Sequence, residues 1–88
     1  MIYINFETNT LVGKIFDEDI NPANIIKNIE VIFGKKIEKE KTLIFFDEIQ
    51  RNTGVVSSLK YFCENAKDYF IIAAGSLLGI YIWRVSIK

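Results

Sequence analysis

A run of four apolar residues that ends in two carboxylates is the feature that most limits how this chain can fold. The stretch reads Thr42-Leu43-Ile44-Phe45-Phe46-Asp47-Glu48-Ile49-Gln50. An apolar run this short, bounded by polar residues, is typical of a buried strand in a parallel sheet. Because open α/β sheets bind ligands at the carboxyl ends of their strands, the run predicts a catalytic edge at Asp47 and Glu48. A core strand that simply ends in water gives the same pattern.

The composition is that of one small folded domain. The chain has 88 residues, of which 50% are hydrophobic and 25% are charged. Lys plus Arg and Asp plus Glu both number 11, so the formal net charge is zero. This balance gives no support for nucleic-acid binding through a broad basic field, and a nucleic-acid partner stays undetermined.

The residue types in the chain exclude some kinds of metal site and catalysis and indicate a cellular location. The chain has no histidine, which excludes imidazole metal sites and Ser-His or Cys-His catalysis. Cys63 is the single cysteine, so no intrachain disulfide can form and a reducing, cytoplasmic location fits best. The first residues do not show a basic region followed by an apolar core, so we expect no secretory signal. The apolar stretch 69–83 is interrupted by Gly75, Ser76 and Gly79 and is too short to span a bilayer, which predicts a protein without a membrane partner.

The segments before this run predict a strand and a helix. Residues 2–6 alternate between apolar and polar faces, which is typical of a strand. Residues 11–20 mix apolar and acidic side chains without a clean period and predict a loop with at most one helical turn. Asn21 and Pro22 are a strong helix start, and Gly34 suits a left-handed end. The apolar stripe of the predicted helix 22–33 consists of Ile25, Ile26, Ile29, Ile32 and Phe33.

The segments after the run predict a second helix and a third strand. Residues 55–66 carry an apolar stripe at helical spacing made of Val55, Val56, Leu59, Phe62, Cys63 and Ala66. Residues 69–74 form another continuous apolar strand, and the β-branched and aromatic tail 80–87 suits an additional edge strand. The order strand, helix, strand, helix, strand implies right-handed crossovers and a parallel sheet.

Taken together, these segments resemble the middle of a prokaryotic AAA-type P-loop ATPase, of the group whose ATPase core precedes a separate C-terminal domain. The blocks that carry the resemblance are Tyr3–Glu7, Thr42–Gln50, Ser58–Glu64 and Ile72–Gly79, which with their spacing cover nearly all of residues 2–79. The resemblance implies a partial, three-layer P-loop core with three parallel strands, two main helices and the Asp47-Glu48 strand in the middle. It divides the chain into a partial ATPase core, 1–79, and a divergent tail, 80–88.

The resemblance also implies roles for three residues in handling Mg-ATP. Asp47 corresponds to the Walker B carboxylate on the magnesium side, and Glu48 to the base that orients the attacking water. Ser76 falls where such ATPases carry the polar "sensor 1" residue near the γ-phosphate. A plain turn after a strand, helped by Gly75, is the alternative explanation of Ser76.

The chain departs from the family pattern at the phosphate-binding loop. No segment of the sequence matches the motif of that loop, Gly-x-x-x-x-Gly-Lys-Ser/Thr. Gly13-Lys14 is followed by Ile15 and is preceded by Thr8 where the first glycine should stand. We therefore expect a fragment or truncated product that is not catalytically competent alone. Mg-ATP is the cofactor that the resemblance implies for the parent family, and whether this chain binds a cofactor by itself stays open. Nucleotide would be the partner of the complete parent.

Other classes of function remain open at this point. A non-catalytic remnant or interaction module would keep the sheet and associate with itself through an exposed sheet edge. A receiver-like signalling domain would use Asp47 as a phosphoryl acceptor with Ser76 as its hydroxyl, but Glu7 is a poor substitute for the acidic pair of that fold. A metal-dependent nuclease is a weaker alternative, because this chain has no third carboxylate and no lysine at a matching strand position.

Overall fold

Strands and helices alternate along the chain in an α/β order. The computed structural model describes the backbone of residues 1–76 and 79–84. Its elements are β1 (Ile2–Asn5), α1 (Thr10–Glu18), α2 (Pro22–Phe33), β2 (Leu43–Asp47), a 3-10 turn (Ile49–Arg51), α3 (Thr53–Asn65), β3 (Phe70–Gly75) and β4 (Gly79–Arg84). Of the helices in this described part, none has both the length and the apolar character that a membrane span requires.

The strands form one sheet in the order β1-β2-β3-β4. β2 pairs in parallel with β1 on one side and with β3 on the other. The register places Ile4 opposite Phe46, and Phe46 opposite Ala73. The predicted three-stranded parallel core, with the Asp47-Glu48 strand in its centre, is therefore confirmed.

The tail of the chain adds a fourth strand that runs antiparallel to β3. Gly75 pairs with Gly79, and the ladder continues to Phe70 opposite Arg84. Within the described residues, this strand covers the edge of β3 that faces away from β2. β4 begins at Gly79, which is the last residue of the predicted ATPase core. The division of the chain into a core and a tail stays a prediction.

The described helices share one face of the sheet, so the expected three-layer arrangement is not formed by the described residues. The alternate strand residues Ile4, Ile44 and Ile71 belong to the same core cluster as buried residues of α1, α2 and α3. The reason is topological. The crossovers from β1 to β2 and from β2 to β3 advance in the same direction across the sheet, so equal handedness places both on one face. The described part has two layers.

The second face of the sheet is only partly covered. A continuous apolar run predicts a strand buried on both faces, but β2 alternates, with Ile44 and Phe46 buried and Leu43 and Phe45 half-buried. Tyr3, the parallel partner of Phe45, is 47% exposed. The face that carries these side chains also carries Asp47, because every second residue of a strand points the same way.

The loop predicted for residues 11–20 is instead a helix, α1, which raises the number of α-helices in the described part from two to three. Asn9 caps it, since its Oδ1 accepts a hydrogen bond from the Val12 N–H at 3.1 Å. Val12 and Phe16, four residues apart, are both buried. The apolar stripe was missed because only these two fully buried side chains define it, among acidic neighbours.

The predicted helix 22–33 is confirmed with the same bounds. Asn21 accepts the Ala23 N–H at its start, and Gly34 adopts a left-handed conformation, φ 62°, at its end. Each of the two predicted apolar stripes includes one residue that is exposed instead of buried. Ile32 in α2 is 37% exposed and Val56 in α3 is 43% exposed, because the buried stripes follow other positions.

An aromatic cluster joins the sheet to the helices. It consists of Phe6 after β1, Phe16 in α1, Phe46 in β2 and Phe62 in α3, and all four side chains are buried. Phe46 contacts the other three rings edge to face, with centroid distances of 5.5 Å to Phe6, 5.6 Å to Phe16 and 6.4 Å to Phe62. Such pairs are favourable beyond the area they bury. Phe46 therefore lies at the centre of the core.

Removal of residues 79–88 is expected to make the chain associate with itself. Without β4, the backbone N–H and C=O groups along the outer edge of β3 would be unpaired, and unpaired strand edges pair with other chains. Light scattering over a range of concentrations should show a larger mass for the shortened chain than for the complete one. A shortened chain that keeps its circular dichroism spectrum and stays at monomer mass would contradict the prediction.

Candidate functional site

The carboxyl ends of β1, β2 and β3 meet at one edge of the sheet because these strands are parallel. The Phe6 N–H just after β1 donates to the carbonyl oxygen of Asp47 at 2.9 Å. Asp47 ends β2, Glu48 follows it, and Ser76 follows β3. This edge therefore holds all three residues that the sequence singled out.

The carboxylate of Asp47 lies on the open face of the sheet with the hydroxyl of Tyr3. Its Oδ2 accepts a hydrogen bond from that hydroxyl, and its Oδ1 accepts the Glu48 N–H at 2.9 Å. The Tyr3 ring packs against Phe45 with centroids 5.3 Å apart. The hydrogen bond to Asp47 raises the pKa of the Tyr3 phenol, since an ionised phenol could no longer donate to a carboxylate.

The backbone turns sharply at Glu48, which adopts a left-handed conformation with φ 55° and ψ 46°. Residues with a side chain adopt this conformation rarely. The turn leads directly into the 3-10 turn and allows the side chain to reach β3. Glu48 Oε1 accepts hydrogen bonds from Gln50 Nε2 at 2.9 Å and from the Ser76 N–H at 3.3 Å.

These donors favour the ionised form of the Glu48 carboxylate. The hydrogen bond from Gln50 and then the backbone hydrogen bond from Ser76 lower the pKa of Glu48, because both favour the charged state. The Ser76 side chain is part of the same group, since its Oγ lies 3.2 Å from Gln50 Nε2. Glu48, Gln50 and Ser76 therefore form a hydrogen-bonded set, which we call the edge triad.

The structure brings the predicted site residues together in two subgroups. Glu48 and Ser76 are joined in the edge triad, whereas the Asp47 carboxylate is bonded to Tyr3. Sequence reasoning missed Tyr3 and Gln50. Alternation along β1 already placed Tyr3 opposite the core side chains, which was a usable signal, but nothing in the local pattern indicated a contact for Gln50.

The glycine-lysine pair near the start of the chain cannot serve as a phosphate loop. Gly13 is a buried residue inside α1, and its N–H is bonded to the Asn9 carbonyl oxygen at 3.2 Å. The Gly13 carbonyl oxygen accepts a hydrogen bond from Asn52 Nδ2 at 3.0 Å. A loop that cradles phosphates needs free backbone N–H groups, and a helix interior offers none.

The Asp47 carboxylate can supply one ligand to a magnesium ion. Within residues 1–76 and 79–84, no three or more Asp, Glu, Cys or His side chains are grouped so that they could hold a metal ion. Magnesium bound with a nucleotide needs only one or two carboxylates, because phosphates and water supply the other ligands. The half-exposed Asp47 carboxylate can supply such a ligand, since each of its oxygens keeps a lone pair beyond its present hydrogen bond.

A comparison with protein families identifies the class of the chain. A family model described as an AAA domain matches residues 1–85, which is nearly the whole sequence. The chain therefore belongs to this AAA-domain family. Searches of curated proteins and of solved structures found no match.

Proposed function

We propose that this chain supplies the Walker B part of an AAA-type ATPase site. Asp47 would hold the magnesium ion of Mg-ATP, Glu48 would orient the attacking water, and Ser76 would contact the γ-phosphate side of the nucleotide. The observation that carries the proposal is the meeting of these residues at the carboxyl edge of a parallel sheet in an AAA-family chain.

The chain alone is proposed to be catalytically incompetent. Transfer of a γ-phosphoryl group depends on positioning and charge stabilisation by loop amides, the loop lysine and the metal acting together. These 88 residues contain no such loop motif, and Gly13-Lys14 is helical. The phosphates would have to be held by a loop that lies outside this sequence.

A magnesium titration tests the metal part of the proposal. In a ¹⁵N-labelled chain, Mg²⁺ at millimolar concentration should shift the amide signals of Asp47, Glu48 and neighbouring residues, because a site with one carboxylate and no phosphates binds weakly. Asp47→Asn should abolish these shifts. Asp17→Asn is the matched control, since Asp17 is an exposed carboxylate in α1, and it should leave them unchanged. Shifts that persist in Asp47→Asn would contradict the assignment of Asp47.

A further inference from the structure

We propose that Gln50 is a positioning residue that holds the Glu48 carboxylate against the carboxyl end of β3 and joins it to Ser76. The catalytic meaning of this arrangement rests on the proposed ATPase function. The arrangement itself can be tested without nucleotide.

The geometry of the edge triad carries the inference. A side-chain amide has two N–H donors, and Gln50 Nε2 lies within hydrogen-bond distance of two acceptors, 2.9 Å from Glu48 Oε1 and 3.2 Å from Ser76 Oγ. The Ser76 N–H completes the ring of contacts at 3.3 Å from the same Glu48 oxygen. Gln50 thus links two side chains that follow different strands, Glu48 after β2 and Ser76 after β3.

The 3-10 turn keeps Gln50 in place between the strand ends. Ile49, the residue before Gln50, is only 2% exposed and belongs to the hydrophobic core. Arg51, the residue after it, forms an ion pair with Glu7 at 2.7 Å, which ties the turn to the segment following β1. An exposed ion pair adds little stability, so the buried Ile49 is the stronger anchor. The backbone on both sides of Gln50 is therefore held.

The orientation of the Gln50 amide follows from its neighbours. An ionised carboxylate only accepts hydrogen bonds, so the nitrogen end of the amide must face Glu48. Turning the amide over would bring two acceptor oxygens together. Gln50 Oε1 is buried and accepts no hydrogen bond from the described residues. The contacts on the nitrogen side therefore determine which way the amide points.

The consequence of the contact is a Glu48 carboxylate that stays aimed at the carboxyl end of β3. The hydrogen bonds from Gln50 Nε2 and from the Ser76 N–H reach the same oxygen, Glu48 Oε1, so together they hold that side of the carboxylate.

Hydrogen exchange of the Ser76 backbone amide, measured by NMR at one fixed pH, tests the proposal. Gln50→Met, which keeps the length of the side chain but removes both donors, should speed this exchange, because the Glu48 carboxylate that accepts the Ser76 N–H is then no longer held. Asn24→Met is the matched control: Asn24 Nδ2 donates to Asp19 Oδ2 at 2.6 Å and Asp19 Oδ1 accepts the Asn21 N–H at 2.8 Å, so this change should speed exchange of the Asn21 amide and leave that of Ser76 unaltered.

A second measurement uses the unmodified chain, so it does not depend on how a variant folds. Nuclear Overhauser contacts should join the Gln50 side-chain amide protons to the Ser76 side chain, because Gln50 Nε2 lies 3.2 Å from Ser76 Oγ. A Gln50 amide without these contacts would overturn the proposal, and so would unchanged Ser76 amide exchange in a folded Gln50→Met variant. Neither readout depends on magnesium. Failure of the magnesium titration would therefore leave this inference intact, and failure of this inference would leave the assignment of Asp47 as a magnesium ligand intact.

Discussion

Phe46→Ala is expected to lower the free energy of unfolding by about 3–5 kcal/mol, the usual cost of removing a fully buried phenylalanine. Phe46 has no exposed surface and contacts three other buried rings, so its loss opens a cavity between the sheet and the helix layer. Because small domains are stable by only about 5–15 kcal/mol, this loss removes a large fraction of the total stability. Urea denaturation followed by circular dichroism measures the change.

The neighbouring residue provides the matched control for this prediction. Phe45 has the same side chain and lies in the same strand, but it faces the open side of the sheet and is half-buried. Phe45→Ala should therefore cost clearly less than Phe46→Ala. Equal losses for the two variants would show that the open face is covered as completely as the core, which would contradict the two-layer description.

Purified chain is expected to release no phosphate from Mg-ATP above the background without protein. The reason is that the sequence contains no Gly-x-x-x-x-Gly-Lys-Ser/Thr loop, which would have to hold the phosphates while Asp47 and Glu48 act in their proposed roles. ATP-dependent phosphate release measured over hours provides the test. The matched variant is Glu48→Gln, which removes the carboxylate and should give the same background rate.

The decisive comparison is between these two proteins. Robust turnover by the unmodified chain that disappears in Glu48→Gln would show that a phosphate loop is dispensable, and the proposal of an incomplete ATPase site would then be wrong. Turnover that is equal in both proteins would indicate a contaminating enzyme, because the proposed base is absent from one of them.

Features that depend on neighbouring residues could be predicted from the sequence. Alternation in residues 2–6 and two apolar runs located the three parallel strands to within a residue or two, and the Asn21-Pro22 start and Gly34 end located α2. These signals are local, because side-chain period and end-capping involve residues within about four positions of each other. α1 was missed because its buried stripe is too narrow to show as a period.

Contacts between distant residues were decided by the tertiary structure alone. Tyr3 and Asp47 are 44 positions apart, and Gln50 and Ser76 are 26 apart, so each pair meets only through the register of the parallel sheet. The placement of the helices on one face also follows from the order of the strands, which no single segment specifies. By itself the sequence determined which strands end in carboxylates and a serine. The packing of the sheet decided that Glu48 turns to Ser76 through Gln50 while Asp47 turns to Tyr3, because strand pairing brings side chains together that are far apart along the chain.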